Sequence, residues 1–185
     1  MIKELLLLML GFIVVDNFAF EKLLGIVPVL GSKKHGKKAF FTGLMVAIVM
    51  LMTGIIAWPL NNVLAANGLA SLELFVFVLI VLIVVFVLDL IIKASCKESL
   101  GLYFPVIALN GAVLGLALNN AAAGYTFVQA VFAALGAGLG FVLAMLLFAG
   151  VQSRIQQKYV PAAFRGLPVT VLAAAIVSMA LVAFK

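Results

Sequence analysis

GFIVVDNFAFEKLLGIVPVLG, residues Gly11 to Gly31, is the stretch whose reading decides the fold. It continues an apolar run that begins near Leu5, long enough to enter a bilayer. Yet it carries Asp16, Asn17, Glu21 and Lys22 and then meets Pro28 and Gly31. Ionisable groups are costly inside a membrane and mark function there by default. Measured from Leu5 at about 1.5 Å per residue, Asp16 lies roughly 16 Å down a helix and Glu21 roughly 24 Å. Asp16 is thus the deep carboxylate, while Glu21 and Lys22 lie near the next head-group layer. On a helical wheel Asn17 and Glu21 stack one turn apart, with Asp16 about 100° away. Three oxygen-bearing side chains on one arc suit a hard cation or a proton relay. The plain alternative for Glu21 and Lys22 is snorkelling to the head groups.

The rest of the chain supplies the membrane around this stretch. Of 185 residues, 67% are hydrophobic and 10% charged, against about 45–50% and 25% in soluble domains. The mean hydropathy is +1.37. Apolar runs are continuous rather than alternating, which predicts helices instead of a barrel. Six spans are expected: about 5–24, 39–58, 72–92, 100–118, 127–151 and 167–184. The third, rich in β-branched residues, is assigned as helix by its length. The fourth holds Pro105, Asn110, Gly111 and Gly115, a second interrupted segment. Proline removes a donor and frees a carbonyl one turn back, so Asn110 is placed either to cap a break or to bond across to Asn17.

The net charge of +6 does not indicate nucleic acid. Nine of the 12 Lys and Arg fall in three alternate loops, at Lys33, Lys34, Lys37 and Lys38, at Lys93 and Lys97, and at Arg154, Lys158 and Arg165. Loops about 60–72 and 119–126 carry none, which is the positive-inside pattern. Both termini are therefore expected on the non-cytoplasmic side of a bacterial or archaeal cytoplasmic membrane. With three spans per half, the halves enter in opposite senses. The expected fold is one all-α integral membrane domain over 1–185, built as two inverted three-helix repeats, about 1–92 and 100–185, with interrupted first and fourth helices.

Other features read more plainly. Asp89 stands one turn before Lys93 and reads equally as a snorkelling ion pair or as part of an ion path. Gly136 and Gly140 form a small-xxx-small pair for helix packing. His35 is a loop residue without a second His to share a metal. The single Cys96 allows neither an intramolecular disulfide nor a metal cage. The sequence offers no catalytic set and no nucleotide-binding glycine loop. The ion-path candidates are Asp16, Asn17, Glu21, Asn110 and Asp89.

Three stretches together resemble a known family. They are Asp16-Asn17-Phe18 with Leu24-Gly25-Ile26-Val27-Pro28 and Gly31, then Phe104-Pro105 with Asn110-Gly111-Ala112-Val113-Leu114-Gly115, and lastly Val160-Pro161-Ala162-Ala163-Phe164-Arg165-Gly166. In order and spacing they are similar to the membrane subunits of Rnf and Nqr electron-transport complexes, and most of all to the Rnf A subunit. The resemblance covers essentially the whole chain. It implies a pairing with a homologous membrane subunit or with a second copy of the chain, and redox partners that hold flavin or iron–sulfur centres.

The family pattern has cysteine before the proline of the first motif and after the asparagine of the second, and two such subunits hold one 2Fe–2S cluster. Here those positions are Val27 and Gly111. Cluster iron is normally held by cysteine sulfur, so the chain is expected to carry no cofactor of its own. The family's Asn-Asn pair begins here with Asp16, and Glu21 replaces an apolar residue. The resulting expectation is a cluster-free subunit of an ion-translocating redox complex, serving as scaffold and cation path. The alternative is a stand-alone inverted-repeat transporter or channel for an ion or small solute.

Overall fold

The computed structural model describes residues 2–22, 24–25, 36–96 and 107–182, and no strand occurs among them. Among the described residues six α-helices follow one another: α1 (Ile2–Leu10), α2 (Gly36–Ala66), α3 (Glu73–Cys96), α4 (Gly111–Ala122), α5 (Phe127–Arg154) and α6 (Leu167–Val182). A π-helical segment, Gly11–Val15, extends α1. Spans over 39–66, 70–94 and 127–154 are long and apolar enough to cross a membrane, and α4 and α6 contribute shorter apolar helices. The chain is an all-helical, multi-pass membrane protein.

Helices α2 and α5 form the centre of the bundle. Small residues set how close the helices come, because hydrocarbon drives helix association weakly in lipid and close backbone packing must replace it. A Cβ on Gly138 would lie 3.1 Å from Ala47 Cβ, and one on Gly54 would lie 3.0 Å from Ala134 Cβ. The Gly136 and Gly140 pair packs on α1 and its π-helical extension: a Cβ on Gly136 would stand 2.5 Å from the Met9 carbonyl oxygen. Around this centre lie α3, packed on α2 and α4, and α6 beside α5. Capping helps fix the start of α5, where the Gln129 amide donates to Thr126 Oγ1 (3.4 Å) and the Thr126 amide to Gln129 Oε1 (2.9 Å).

Three expected boundaries move. The second span does not stop before Pro59; α2 runs through it to Ala66. Proline removes a single N–H, and a long membrane helix tolerates that loss. The turn expected over 119–124 shrinks, because α4 continues to Ala122 and turns at Ala123–Gly124. The third change matters most. The first span is not helical to Leu24, since regular structure ends at Val15 and the chain bends at Asp16. Pro28, Gly31, His35 and Pro105 lie outside the described residues.

Candidate functional site

The first break is held open by Asn17. Its Nδ2 donates to the Ile13 carbonyl (2.9 Å), and its Oδ1 accepts from the amides of Ala19 (3.0 Å) and Phe20 (3.4 Å). An asparagine side chain thereby takes over bonds that a continuing helix would make through its backbone. Its burial is nearly complete, at 1% exposed. Beyond it the chain turns through a Glu21 amide bond to the Asn17 carbonyl (2.8 Å) and a Leu24 amide bond to that of Phe18 (2.9 Å). Gly25 then adopts φ +74°, a conformation that glycine reaches without steric cost.

The second break mirrors the first. Ile107 and Ala108 are helical, Leu109 turns, and Asn110 is extended before α4 begins at Gly111. Asn110 caps that start, its Oδ1 accepting from the Ala112 amide (2.9 Å). Asparagine is a favoured N-cap because its oxygen meets one of the unpaired first-turn amides. In both breaks the amide accepted lies two residues after the asparagine.

The two breaks meet. Gly25 leaves no room for a Cβ against Asn110 Oδ1, and a Cβ there would also sit 2.8 Å from Phe141. Leu24 fills the space over α4, with Cδ1 3.0 Å and Cδ2 3.4 Å from where Gly115 and Gly111 would carry a Cβ. Phe18 stacks on Phe12 with centroids 5.9 Å apart. Asn17 and Asn110 each bond locally, and the contact between their segments runs through Leu24 and Gly25.

The carboxylates differ in setting. Asp16 is exposed at the bend. Burial, and after it the charge of Asp16, raises the phenol pKa of Tyr125, in the turn between α4 and α5. Glu21 and Lys22 are exposed, with Lys22 Nζ 4.8 Å from the Phe18 ring centroid. Asp89 is buried and pairs with Lys93 at 2.6 Å, one turn along α3. That is the ion-pair reading, made within a single helix. Asp16, Asn17, Glu21 and Asn110 thus border the joined breaks.

A family model described as "Rnf-Nqr subunit, membrane protein" matches residues 5–185. The chain belongs to the Rnf-Nqr membrane-subunit family. It is 37% identical over 186 residues to the A subunit of the ion-translocating oxidoreductase complex of Syntrophotalea carbinolica, covering 98% of this chain and 96% of that one. To the A subunit of the Na(+)-translocating ferredoxin:NAD(+) oxidoreductase complex of Acetobacterium woodii it is 36% identical over 185 residues, with the same coverage of 98% and 96%. The A subunit of the Serratia proteamaculans ion-translocating oxidoreductase complex is 35% identical over 185 residues, again covering 98% and 96%.

In this Rnf-Nqr subunit, Gly111 occupies a place where the family resemblance puts a cluster thiolate. The position has no side chain, and Leu24 packs where one would project. Val27 lies outside the described residues. Neither valine nor glycine offers the sulfur a cluster takes. No group of three or more His, Cys, Asp or Glu gathers among the described residues.

Sequence reasoning missed four buried polar residues, Thr42, Thr53, Asn120 and Thr170. Asn120 reads as part of a neutral turn, although it falls on the face of Ala112, Val113, Leu116 and Ala117, all buried. Helical spacing continued past Leu118 is the signal that finds it.

Proposed function

We propose that this Rnf-Nqr subunit works inside an ion-translocating electron-transport complex, as a scaffold and as part of the cation path. The observation that carries the reading is Asp16, an exposed carboxylate at an unwound break and beside a fully buried asparagine. A carboxylate at such depth is expensive against lipid, so a water-lined passage or a partner subunit covers it. Interrupted helices place backbone ends and polar side chains together, which is how transporters build ion sites at mid-membrane. The matching Asn17 and Asn110 breaks also support two inverted repeats, about 1–92 and 100–185. By the placement of basic residues, both termini lie on the non-cytoplasmic side of the cytoplasmic membrane.

The test is ion uptake by the intact complex in liposomes, driven by electron transfer. Asp16→Asn is expected to lower ions moved per electron pair at least tenfold while the complex still assembles. Unchanged coupling would remove Asp16 from the path. The purified chain alone is expected to be silent, and uptake by it would favour the stand-alone transporter.

The same reading has electrons pass through partner subunits, with no cluster in this chain. Support comes from Gly111 and Val27 at the two thiolate places. Iron and acid-labile sulfide of the purified chain are expected at background level. Two irons per pair of chains, surviving gel filtration, would overturn this part and leave the Asp16 assignment standing.

A further inference from the structure

Thr53 and Asn120 take no part in the joined breaks, yet both are buried, at 1% and 6% exposed. Asn120 Nδ2 donates to the Ala130 carbonyl (3.3 Å). Its Oδ1 and Thr53 Oγ1 have no hydrogen-bond partner. An orphaned acceptor in an apolar bundle costs about 1–3 kcal/mol. Buried polar atoms that protein leaves unmet are commonly met by ordered water.

There is room for that water. Between α2, α3 and α4, the residues Gly54, Ala57, Asn61, Phe77, Ala117 and Asn120 line a cavity with about 10 Å³ open to the centre of a water molecule. That is roughly the least a single water requires. Glycine at 54 keeps the wall thin, since a Cβ there would press Ala134 and reach within 4.0 Å of Asn120 Nδ2.

The cavity lies toward one end of the bundle. Asn61 is near the end of α2 and Asn120 near the end of α4, both beside the uncharged turns. The lining residue Trp58 donates to the Tyr125 carbonyl (2.7 Å) in one of those turns. Residues 53, 57 and 61 recur one turn apart on α2, so asparagine, a small alanine and a hydroxyl share one face. Deeper on the helix, Val49 and Val46 are fully buried and are not among the residues that line it.

We propose that this cavity is a water site, entered from the uncharged-turn end and closed below Thr53, in which a water donates to Asn120 Oδ1. The chemistry favours a neutral occupant. Oδ1 only accepts, and no lining residue carries a charge. Hard cations take about six or more oxygens, whereas the side chains here offer the two amides of Asn61 and Asn120. Nothing in this proposal depends on Asp16; it needs only a helical bundle in a membrane.

Silver-ion accessibility tests it. In the full-length chain with its co-purifying subunits, reconstituted in nanodiscs with Cys96→Ser, single cysteines replace Ala57, Ala117 or Val49. The Ala57→Cys and Ala117→Cys variants add only a sulfur and independently probe opposite walls. Thiols at 57 and 117 are expected to be blocked by silver at least 100-fold faster than at 49, read by later maleimide labelling in denaturant. Equal protection at all three positions means a cavity closed to solvent and overturns the proposal. If sodium, but not choline, slows silver at 57 and 117, the occupant is a cation and the water assignment falls.

Discussion

Replacing Gly140 by valine is expected to detach the first helix from the bundle. A Cβ at 140 would lie 2.7 Å from both Asn17 Nδ2 and the Phe12 carbonyl oxygen, and 3.1 Å from Ile13 Cα. Two of those three atoms are backbone, so rotamer changes cannot relieve the clash and the helices must part. Overpacking costs typically about 1–3 kcal/mol. Valine adds two further methyls and drives out the segment that seats Asn17, so about 3 kcal/mol or more is expected. For a chain of this size, that lowers the melting temperature by roughly 10 °C. Gly136→Val should behave alike, because the Met9 backbone is as close. Gly150, also within α5, has nothing within 4 Å of a Cβ. Gly150→Ala should therefore match the parent or gain about 0.5–1 kcal/mol from helix propensity. Thermal unfolding in detergent, followed by circular dichroism, checks the series. Equal losses at 136, 140 and 150 would mean that the pair is not a docking surface.

How much of this could be read from the residues differs by feature. Apolar length identified the helices, because the bilayer leaves the backbone few options. The Gly136 and Gly140 spacing indicated close packing, though not that α1 would be the partner. At the first break the legible signal was Pro28, which lies outside the described residues, and the bend that is described sits at Asp16 and Asn17. A proline announces itself by type, whereas Asn17 unwinds the chain through three bonds that exist only once it is buried. Proline misled at residue 59, since losing one donor does not end a helix as long as α2. Asp89 makes the ion pair with Lys93 that its spacing of one helical turn indicated. Asn120 was hidden by its neighbour Asn119, because two asparagines in a row look like a turn. The burial of Asn120 depends on α2, which sequence spacing alone does not bring alongside.

Asn17→Leu is expected to be among the most damaging single substitutions in the first half of the chain, although leucine keeps the branched, four-heavy-atom outline of asparagine. Asn17 meets three backbone groups, the Ile13 carbonyl and the Ala19 and Phe20 amides. Leucine leaves them without a side-chain partner in a site 1% exposed. At about 1–3 kcal/mol for each orphan, with the long Phe20 contact counting least, the loss is about 3–6 kcal/mol. Asn17→Ser separates this account from a steric one. Serine leaves a cavity, yet its hydroxyl can still accept from an amide two or three residues on. If hydrogen bonding governs the break, serine is milder than leucine. If filling space governs it, leucine is milder. The second break supplies the internal scale, because Asn110 accepts one described bond, from Ala112, and its Nδ2 has no partner. Asn110→Leu gives up that one bond and removes an orphaned donor, so it is expected to cost less than half of what Asn17→Leu costs. Melting temperatures of the three variants in one detergent decide it. An Asn110→Leu loss equal to that of Asn17→Leu would show that the two breaks are held by something other than their asparagine bonds.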